Sequence, residues 1–461
     1  LEFRRVLFRS TLTDVTEVTL RIVPVLFGIG LVLLLLLFKG GLDRRVLLFA
    51  ALFTAISPAF VFYSRYYIME IQLVFFSFGA ILSGYRFSQN RHLGWAVATG
   101  LFLGLMHTAK ETCILAWAAM GAALMITWLW ASRESTFGLM SRRRVWTAIA
   151  LALLAAAAIS ILFFSSFFSY NRGIIDSILT YKTYIARGSG GFESHLYPWY
   201  YYFKWLMWNP SENQPFWTEG LVVVLAVIGL IGVFTGKHKS DSNINLLRFL
   251  SLYTLFLIFV YSIIPYKTPW SMLGFYHGLI LMAAVGAIML LQWSFRRPVK
   301  TALALLVFIG TIHLGVLSFL MNFRYEADPS NPYVYAHTHK DIYNLVNAVN
   351  DFTKYWPERR DTYIEVVAPG SDYWPLPLYF REYDQVGYFN DFDYDLPAGK
   401  LIITKPGLES ALLTKLYETP PPGQRHMYIP HFPNGIWLRP GVPIELYVRK
   451  DVWDTWYRQS P

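Results

Sequence analysis

The sequence predicts a polytopic α-helical membrane protein that ends in a soluble α/β domain. Of its 461 residues, 55% are hydrophobic and only 15% are charged, whereas an ordinary soluble domain has about a quarter of its residues charged. Apolar runs long enough to cross a bilayer recur through residues 17–320. From residue 321 the pattern changes to short, alternating strand-like and helix-like segments.

The apolar runs predict about ten membrane spans, because a helix needs about 20 mostly apolar residues to cross the hydrocarbon. The candidate spans are 17–38, 45–63, 69–85, 93–108, 112–131, 145–168, 219–236, 248–264, 271–293 and 299–320. The large aromatic share of 18% fits such a protein, since Trp and Tyr anchor helices at the two membrane interfaces.

The distribution of charge predicts the topology. Residues 1–320 carry a net charge of +14 and residues 321–461 a net charge of −4. The loops after the odd-numbered spans hold 15 Lys and Arg residues, whereas the short loops on the other side hold only Arg65, Lys110 and Lys267. Cytoplasmic loops are the basic ones, so the loop 169–218 and the domain 321–461 are expected outside the cytoplasm. Charge spread over short loops argues against nucleic-acid binding.

The first residues and the orientation of the first span predict that a segment is missing before residue 11. Residues 1–10 start with Leu1 and do not resemble the start of a membrane protein, so they are expected to be non-native. The first span, in the transmembrane domain 11–320, would begin outside, which requires an earlier span.

The C-terminal part predicts a small α/β domain over residues 321–461. Helical patterns cover 341–352 and 408–416, and strand patterns cover 362–368, 400–404 and 444–448. Alternation of this kind is typical of helices packed on a central sheet.

The long loop 169–218 contains a predicted membrane-surface helix and an aromatic run. Residues 173–185 have helical apolar spacing. Residues 197–208 are aromatic at 8 of 12 positions. The aromatic run fits an interfacial anchor and also a platform for a lipid chain or sugar ring.

Ionisable residues at the outer helix ends are the candidate functional residues, because charge near the bilayer is costly. Arg65 and Glu70 flank the turn between spans two and three, and Lys110 and Lys267 lie in two further outer loops. An anion such as a lipid phosphate would suit these cations. Snorkelling side chains and interfacial ion pairs are the alternative interpretation.

No metal or cofactor is assigned from the sequence. His337 and His339 have a spacing compatible with a metal but no carboxylate or Cys partner nearby, so zinc is not expected. A divalent cation at Glu70 remains an open option.

Three motifs resemble those of GT-C membrane glycosyltransferases. They are Ser57-Pro58 with Tyr63-Ser64-Arg65 and Glu70, then Ala109-Lys110-Glu111, then Tyr266-Lys267-Thr268-Pro269-Trp270. They look like the dolichyl-phosphate-mannose-protein mannosyltransferase branch. The likeness is closest to a prokaryotic mannosyltransferase-like family associated with flippase activity, and it extends through Asp372–Arg381 and Tyr447–Arg449.

The resemblance implies an inverting transfer of a sugar from a polyprenyl-phosphate donor to a glycan or protein acceptor, outside the plasma membrane. In such enzymes a carboxylate in the first outer loop is base or metal ligand, and that loop is absent from this chain. The residue matches imply Glu70 as a catalytic acidic group and Arg65, Lys110 and Lys267 as ligands of the lipid phosphate. Residues expected to line the cavity are Tyr66, His107, Glu111, His195, Trp199 and Trp270.

Two other functions fit the same sequence. One is a non-catalytic accessory protein or transporter that binds or helps to flip lipid-linked sugars. The other is a membrane-anchored scaffold for polymer assembly, in which the domain 321–461 is the working part. No internal symmetry of the kind found in inverted-repeat transporters is visible in the sequence.

Overall fold

A computed structural model describes residues 16–133, 142–188, 195–211, 214–237, 240–293 and 296–459. The chain divides into two compact units, Leu1–Arg324 and Tyr325–Pro461. The division therefore falls four residues after the boundary at 320/321 expected from the sequence. The segment 1–10, predicted to be non-native, lies outside the described residues.

In its described residues, the first unit has helices as its regular secondary structure. Its helices are α1 Glu17–Leu34, α2 Arg44–Ile56, α3 Pro58–Ser64, α4 Glu70–Asn90, α5 Leu93–Ala109, α6 Cys113–Arg133, α7 Arg142–Phe164, α8 Gly173–Gly188, α9 Tyr201–Met207, α10 Gly220–Phe234, α11 Ile244–Ile263, α12 Leu273–Gln292 and α13 Arg297–Phe319. Short 3-10 turns extend α1 to Phe38 and precede α12 from Pro269, and a π-helical turn extends α13 to Arg324.

Six helices in the described part of the chain are long and apolar enough to span a membrane, or seven if a bent pair counts as one span. Two more apolar helices, α5 and α10, are shorter. Every predicted span contains a helix, α4 among them, although α4 is less apolar than the others. The polytopic helical fold is thus confirmed, and the number ten stays a prediction.

The predicted span 45–63 is not one straight helix. Helices α2 and α3 meet at an angle of 59°. The break lies at Ser57, which precedes Pro58 and has an extended backbone conformation. A residue before proline avoids the helical region, because the proline ring clashes with it. Ser57 then starts α3 by accepting the backbone N–H of Phe60.

Helix α12 forms the centre of the first unit, and nearly all of its residues are buried. It approaches α10 at Gly229 and Gly286, where an added Cβ would lie only 2.0 Å from the carbonyl oxygen of Met282 and 1.9 Å from that of Leu225. Membrane helices associate through such small residues, since these let two backbones come close. The two glycines therefore fix the contact between α10 and α12.

Two helices lie in the described parts of the segment 169–218, which are residues 169–188, 195–211 and 214–218. Helix α8 is the expected amphipathic helix: it exposes Ile175, Ile178 and Ile185 and buries Ser177. Helix α9 lies in the aromatic run and buries Tyr201 and Tyr202.

The second unit contains a mixed sheet with helices around it. Its helices are α14 Asp341–Tyr355, α15 Leu376–Tyr379, α16 Glu409–Leu413 and α17 Lys450–Gln459, and its strands are β1 Ile364–Val367, β2 Val386–Phe389, β3 Leu401–Thr404, β4 Tyr428–Pro430, β5 Ile436–Arg439 and β6 Val442–Arg449. The strand order is β2-β1-β3-β6-β4, with β5 paired to β6. Strand β1 is parallel to β2 and β3, and the remaining pairs are antiparallel.

The predicted α/β domain is present, and the sequence missed three of its strands. The three predicted strands correspond to β1, β3 and β6, and the two predicted helices to α14 and α16. Strands β2, β4 and β5 were not expected from the sequence. They are only three or four residues long and are mostly half-buried, so their apolar alternation is too short to recognise.

A buried ion pair joins strand β1 of the second unit to the helical turn after α16. Glu365 in β1 and Lys415 after α16 have side chains that are 0% and 2% exposed, and Lys415 Nζ lies 2.8 Å from Glu365 Oε1. The other carboxylate oxygen accepts the backbone N–H of Gly399 at 2.9 Å, and Lys415 donates to the carbonyl oxygen of Asp393 at 2.5 Å. Both charges are therefore compensated inside the core.

Candidate active site

Glu70 and Lys110 form an ion pair between two helices. Glu70 is the first residue of α4, where the helix dipole favours a carboxylate. Lys110 follows the last residue of α5 and donates from Nζ to Glu70 Oε1. The carboxylate side chain is 7% exposed and the lysine side chain 21%. The pair thus brings together two residues that lie 40 positions apart in the sequence.

This ion pair lines a cavity between α4, α11 and the start of α12. The lining residues are Glu70, Leu73, Val74, Ser77, Lys110, Thr112, Ala116, Tyr253, Leu257, Tyr261, Trp270, Ser271, Leu273 and Gly274. The cavity therefore contains one carboxylate, one ammonium group, hydroxyl groups and an indole ring. A second cavity shares Val74, Ser77, Tyr253 and Gly274 with it and reaches His277.

Arg65 lies away from this cavity lining. Its guanidinium group donates to the backbone carbonyl of Asn322 and stacks over the ring of Phe323 at 4.4 Å. Both partners belong to the π-helical turn after α13. The role in phosphate binding expected for Arg65 stays a prediction, and the contacts described give it a role in joining the α3–α4 turn to the end of α13.

Lys267 caps the end of α11. Its ammonium group donates to the carbonyl oxygens of Tyr261 and Ser262 at 2.9 Å each and to that of Ile264. The residue is 1% exposed, and burial lowers the pKa of its ammonium group. Three acceptors for three N–H donors satisfy the side chain fully, so phosphate binding by Lys267 would require it to exchange a carbonyl partner.

The other residues predicted to line the cavity are spread over the first unit. Trp270 lines it, and Tyr66 packs against Trp270 with ring centroids 6.5 Å apart. Glu111 lies half-buried in the turn between α5 and α6.

Two more of these residues have partners elsewhere, and a third is exposed. His107 contacts the hydroxyl of Ser160 at 3.1 Å and stacks on Tyr181. His195 packs edge-on against Tyr266, and Trp199 is 66% exposed.

Glu219 is a buried carboxylate that sequence analysis did not single out. It is 1% exposed and lies just before α10. It accepts hydrogen bonds from the Ser57 hydroxyl at 2.8 Å, the Ala59 backbone N–H at 2.9 Å and the Tyr276 hydroxyl. It therefore holds the break between α2 and α3 against α12. The available signal was a carboxylate at the very start of an apolar span, which is costly unless it has partners.

We expect Glu219→Ala to destabilise the first unit by about 3 kcal/mol or more. The variant leaves one backbone N–H and two hydroxyl groups buried without their acceptor, and each such group costs about 1–3 kcal/mol. The thermal unfolding midpoint of the detergent-solubilised protein measures the loss. Glu219→Gln is the matched control: it keeps the shape and one acceptor oxygen and should lose less. Equal stability of Glu219→Ala and the unsubstituted protein would contradict this role.

In the part of the chain that the structure describes, no group of three or more His, Cys, Asp or Glu side chains has the arrangement of a metal site. His337 Nδ1 accepts the backbone N–H of Tyr335. His339 Nδ1 lies 3.2 Å from Asp341, so the expectation that these histidines have no carboxylate nearby was wrong, because Asp341 is only two residues further along the chain. Each histidine thus has a local partner.

One protein family and several solved structures are similar to this chain. Residues 5–175 match the family described as dolichyl-phosphate-mannose-protein mannosyltransferase. The structure of ArnT from Cupriavidus metallidurans bound to undecaprenyl phosphate matches with a TM-score of 0.57 and 12% identity, over 95% of this chain and 85% of that one. The chain has a GT-C fold.

Two further solved structures match. ArnT from the same organism in the apo state has a TM-score of 0.54 and 11% identity, over 92% of this chain and 83% of that one. The oligosaccharyltransferase AglB from Archaeoglobus fulgidus, in complex with an inhibitory peptide and a dolichol-phosphate, has a TM-score of 0.45 and 13% identity, over 95% and 66%. No curated protein matches the chain.

The family match over residues 5–175 and the shared fold confirm the resemblance to GT-C glycosyltransferases. The long apolar helices support an integral membrane protein. The finer likeness to the flippase-associated family stays a prediction.

Proposed function

We propose that this protein is a glycosyltransferase that moves a sugar from a polyprenyl-phosphate donor to a glycan or protein acceptor at the outer membrane face. The observation that carries the proposal is the Glu70–Lys110 pair in a cavity of a GT-C fold. The match of residues 5–175 to a family of mannosyltransferases supports a sugar as the transferred group. The ArnT structure supports a lipid phosphate as its carrier.

The transfer requires an acid–base group and an anion-binding group. An acceptor hydroxyl attacks the anomeric carbon, the bond from that carbon to the phosphate oxygen breaks, and the polyprenyl phosphate leaves with the electron pair. The hydroxyl proton passes to a base. A positioned carboxylate can take such a proton, and an ammonium group can stabilise the charge that develops on the phosphate. We assign the base to Glu70 and the anion-binding group to Lys110, although the resemblance alone places a carboxylate with the first role in the first outer loop.

The ion pair suggests how both groups become available at once. Without donor, Lys110 neutralises Glu70. The donor phosphodiester carries one negative charge and competes for the same ammonium group when it enters beside Lys110, since charge-assisted hydrogen bonds to phosphate are strong. The carboxylate is then released to accept the proton. A divalent cation bound at Glu70 would supply further charge neutralisation to the phosphate.

Lys110→Met should weaken binding of polyprenyl phosphate by about tenfold or more, because it removes one charge-assisted hydrogen bond of about 1.5–3 kcal/mol. Binding of a short-chain polyprenyl phosphate to the purified protein, measured by calorimetry in detergent, tests this. The control is Lys182→Met on the exposed face of α8, which should bind like the unsubstituted protein. Equal affinity of both variants would remove Lys110 from the phosphate site.

A non-catalytic accessory or flippase-associated role is the second candidate. One observation favours it: among the described residues that line the cavity, the only carboxylate is Glu70, and it is already paired with Lys110. A protein that only holds or moves a lipid-linked sugar needs the ammonium group and no free base.

We further propose that Arg65, Lys110, Lys267 and the unit Tyr325–Pro461 lie on the outer face of the plasma membrane. The support is the 15-to-3 asymmetry of basic residues between the two sets of loops. Cys113 is the single cysteine and is buried, so it should not react with an impermeant thiol reagent in intact cells. A cysteine at exposed Ser410 should then react, and one at Ser240 should not. Reaction at both would contradict the proposed orientation.

A further inference from the structure

The second unit has a topological switch point, the place where ligands bind in open α/β sheets. After β1 the chain turns to β2 on one side of the sheet, and after β3 it runs to β4 on the other side. Strands β1 and β3 are parallel neighbours. Connections that leave the ends of adjacent parallel strands in opposite directions open a crevice at their carboxyl ends.

Charged side chains converge at this crevice. Asp372 follows β1, and Lys405 is the first residue after β3; Lys405 Nζ donates to Asp372 Oδ2 at 2.8 Å. Arg439, the last residue of β5, donates to the other oxygen of Asp372. The three side chains are 30%, 26% and 21% exposed. Two cations for one carboxylate leave an excess of one positive charge at a surface that solvent can reach.

The cluster also has a donor without an acceptor. Nε of Arg439 is buried and has no hydrogen-bond partner among the described residues. A buried N–H group of a charged side chain is expensive to leave unpaired, so the guanidinium group of Arg439 keeps hydrogen-bonding capacity that Asp372 does not use.

An exposed aromatic ring follows Asp372 closely in the sequence. Trp374, two residues after Asp372, is 56% exposed. It leans on Tyr373, with ring centroids 6.4 Å apart, and Tyr373 packs on Tyr388 of β2 at 5.1 Å. The indole therefore packs against Tyr373 and is also open to solvent. Such a ring offers an apolar face that suits the C–H face of a sugar, next to groups that hydrogen-bond hydroxyls.

The backbone before the cluster is held in an uncommon conformation. Gly370 and Ser371 both have positive φ angles, of 73° and 58°. The Ser371 N–H donates to the side-chain oxygen of Asn390 at 3.0 Å, which ties the loop after β1 to the loop after β2. Non-glycine residues at positive φ persist where the surrounding structure fixes them, often at binding sites. The loop therefore presents Asp372 and Trp374 in a fixed position.

We propose that this crevice is a carbohydrate-binding site that prefers a sugar ring bearing an acidic group. Trp374 stacks on the ring, Asp372 accepts its hydroxyl groups, and Lys405 and Arg439 hold its carboxylate or phosphate. The site lies wholly within the second unit, and its existence does not depend on the proposed transferase function. It gives the protein a second contact with glycans, separate from the cavity at Glu70 and Lys110.

Methyl β-glucuronide and methyl β-glucoside are suitable probes, because they differ only in the carboxylate at C6. Saturation-transfer NMR on the whole protein in nanodiscs should show both bound, the glucuronide about tenfold more tightly. Trp374→Ala should weaken both by about tenfold. Lys405→Gln should reduce the preference for the glucuronide and leave the glucoside unchanged. Tyr457→Ala, at a 72% exposed aromatic residue on α17, is the control.

Each part of the proposal has a result that would overturn it. No saturation transfer to either glycoside overturns the proposal, and equal affinity for the two overturns the acidic preference. Equal loss in Tyr457→Ala and Trp374→Ala overturns the placement of the site. Hydrogen exchange over β1 and β3 shows whether each variant is folded. Sugar transfer assayed in the same preparations distinguishes this site from the proposed function, since either result can hold without the other.

Discussion

Replacing Glu70 by Gln is expected to lower the rate of sugar transfer by about 10²- to 10⁴-fold, the usual contribution of a general base. The amide has the shape of the carboxylate but cannot take the proton of the acceptor hydroxyl. The side chain starts α4 and lies against Lys110, and the amide oxygen can still accept the lysine N–H. The variant should therefore fold, and binding of polyprenyl phosphate should persist.

The measurement is release of polyprenyl phosphate under single-turnover conditions, with donor bound in advance. Asp176→Asn on α8 is the matched control, since it removes a carboxylate that pairs with Arg172 far along the chain from the cavity residues. Unchanged transfer in Glu70→Gln would remove Glu70 from the reaction and leave the binding role of Lys110 untouched.

Lys415→Met is expected to destabilise the second unit by about 3–5 kcal/mol. The substitution leaves the carboxylate of Glu365 charged and unpaired at 0% exposure, and breaking a buried ion pair in this way carries about that cost. Amide exchange in β1 and β3 should then become roughly 100-fold faster or more, at tenfold for each 1.4 kcal/mol.

Two further variants distinguish the cost of leaving a buried charge unpaired from the cost of losing an ion pair as such. Glu365→Gln with Lys415→Met removes both charges and should recover part of the loss, because no ion is left unpaired. Arg360→Met breaks the exposed pair of Arg360 and Glu382, whose side chains are 69% and 56% exposed, and should cost only about 0–1 kcal/mol. Exchange as slow in Lys415→Met as in Arg360→Met would show that the buried pair does not stabilise the sheet.

The helices of the first unit could be predicted from the sequence because membrane-spanning runs carry a strong local signal. Each of the ten apolar runs contains a helix. The bend at Ser57 was also present in the sequence as a Ser-Pro step inside an apolar run, but proline is tolerated in membrane helices, so the step alone does not decide between a kink and a break. The buried acceptor that holds this break, Glu219, comes from 160 residues away.

The candidate site was predicted less completely than the fold. Sequence position placed Glu70 and Lys110 at the same end of neighbouring helices, and the structure pairs them. It could not reveal that Lys267 turns back onto the last carbonyls of α11 or that Arg65 reaches Asn322. A cation at a helix end can serve the helix dipole as readily as a ligand, and only the direction of the side chain distinguishes the two.

The most direct test of the account is a transfer assay with purified protein in vesicles and a panel of polyprenyl-phosphate hexoses labelled in the sugar. The account predicts that one donor is consumed with release of polyprenyl phosphate, that the label appears on a glycan or protein acceptor with inverted anomeric configuration, and that Glu70→Gln abolishes most of this turnover. Tight binding of the donors with no turnover of any, in a preparation that contains acceptor, would contradict the transferase and leave the accessory role.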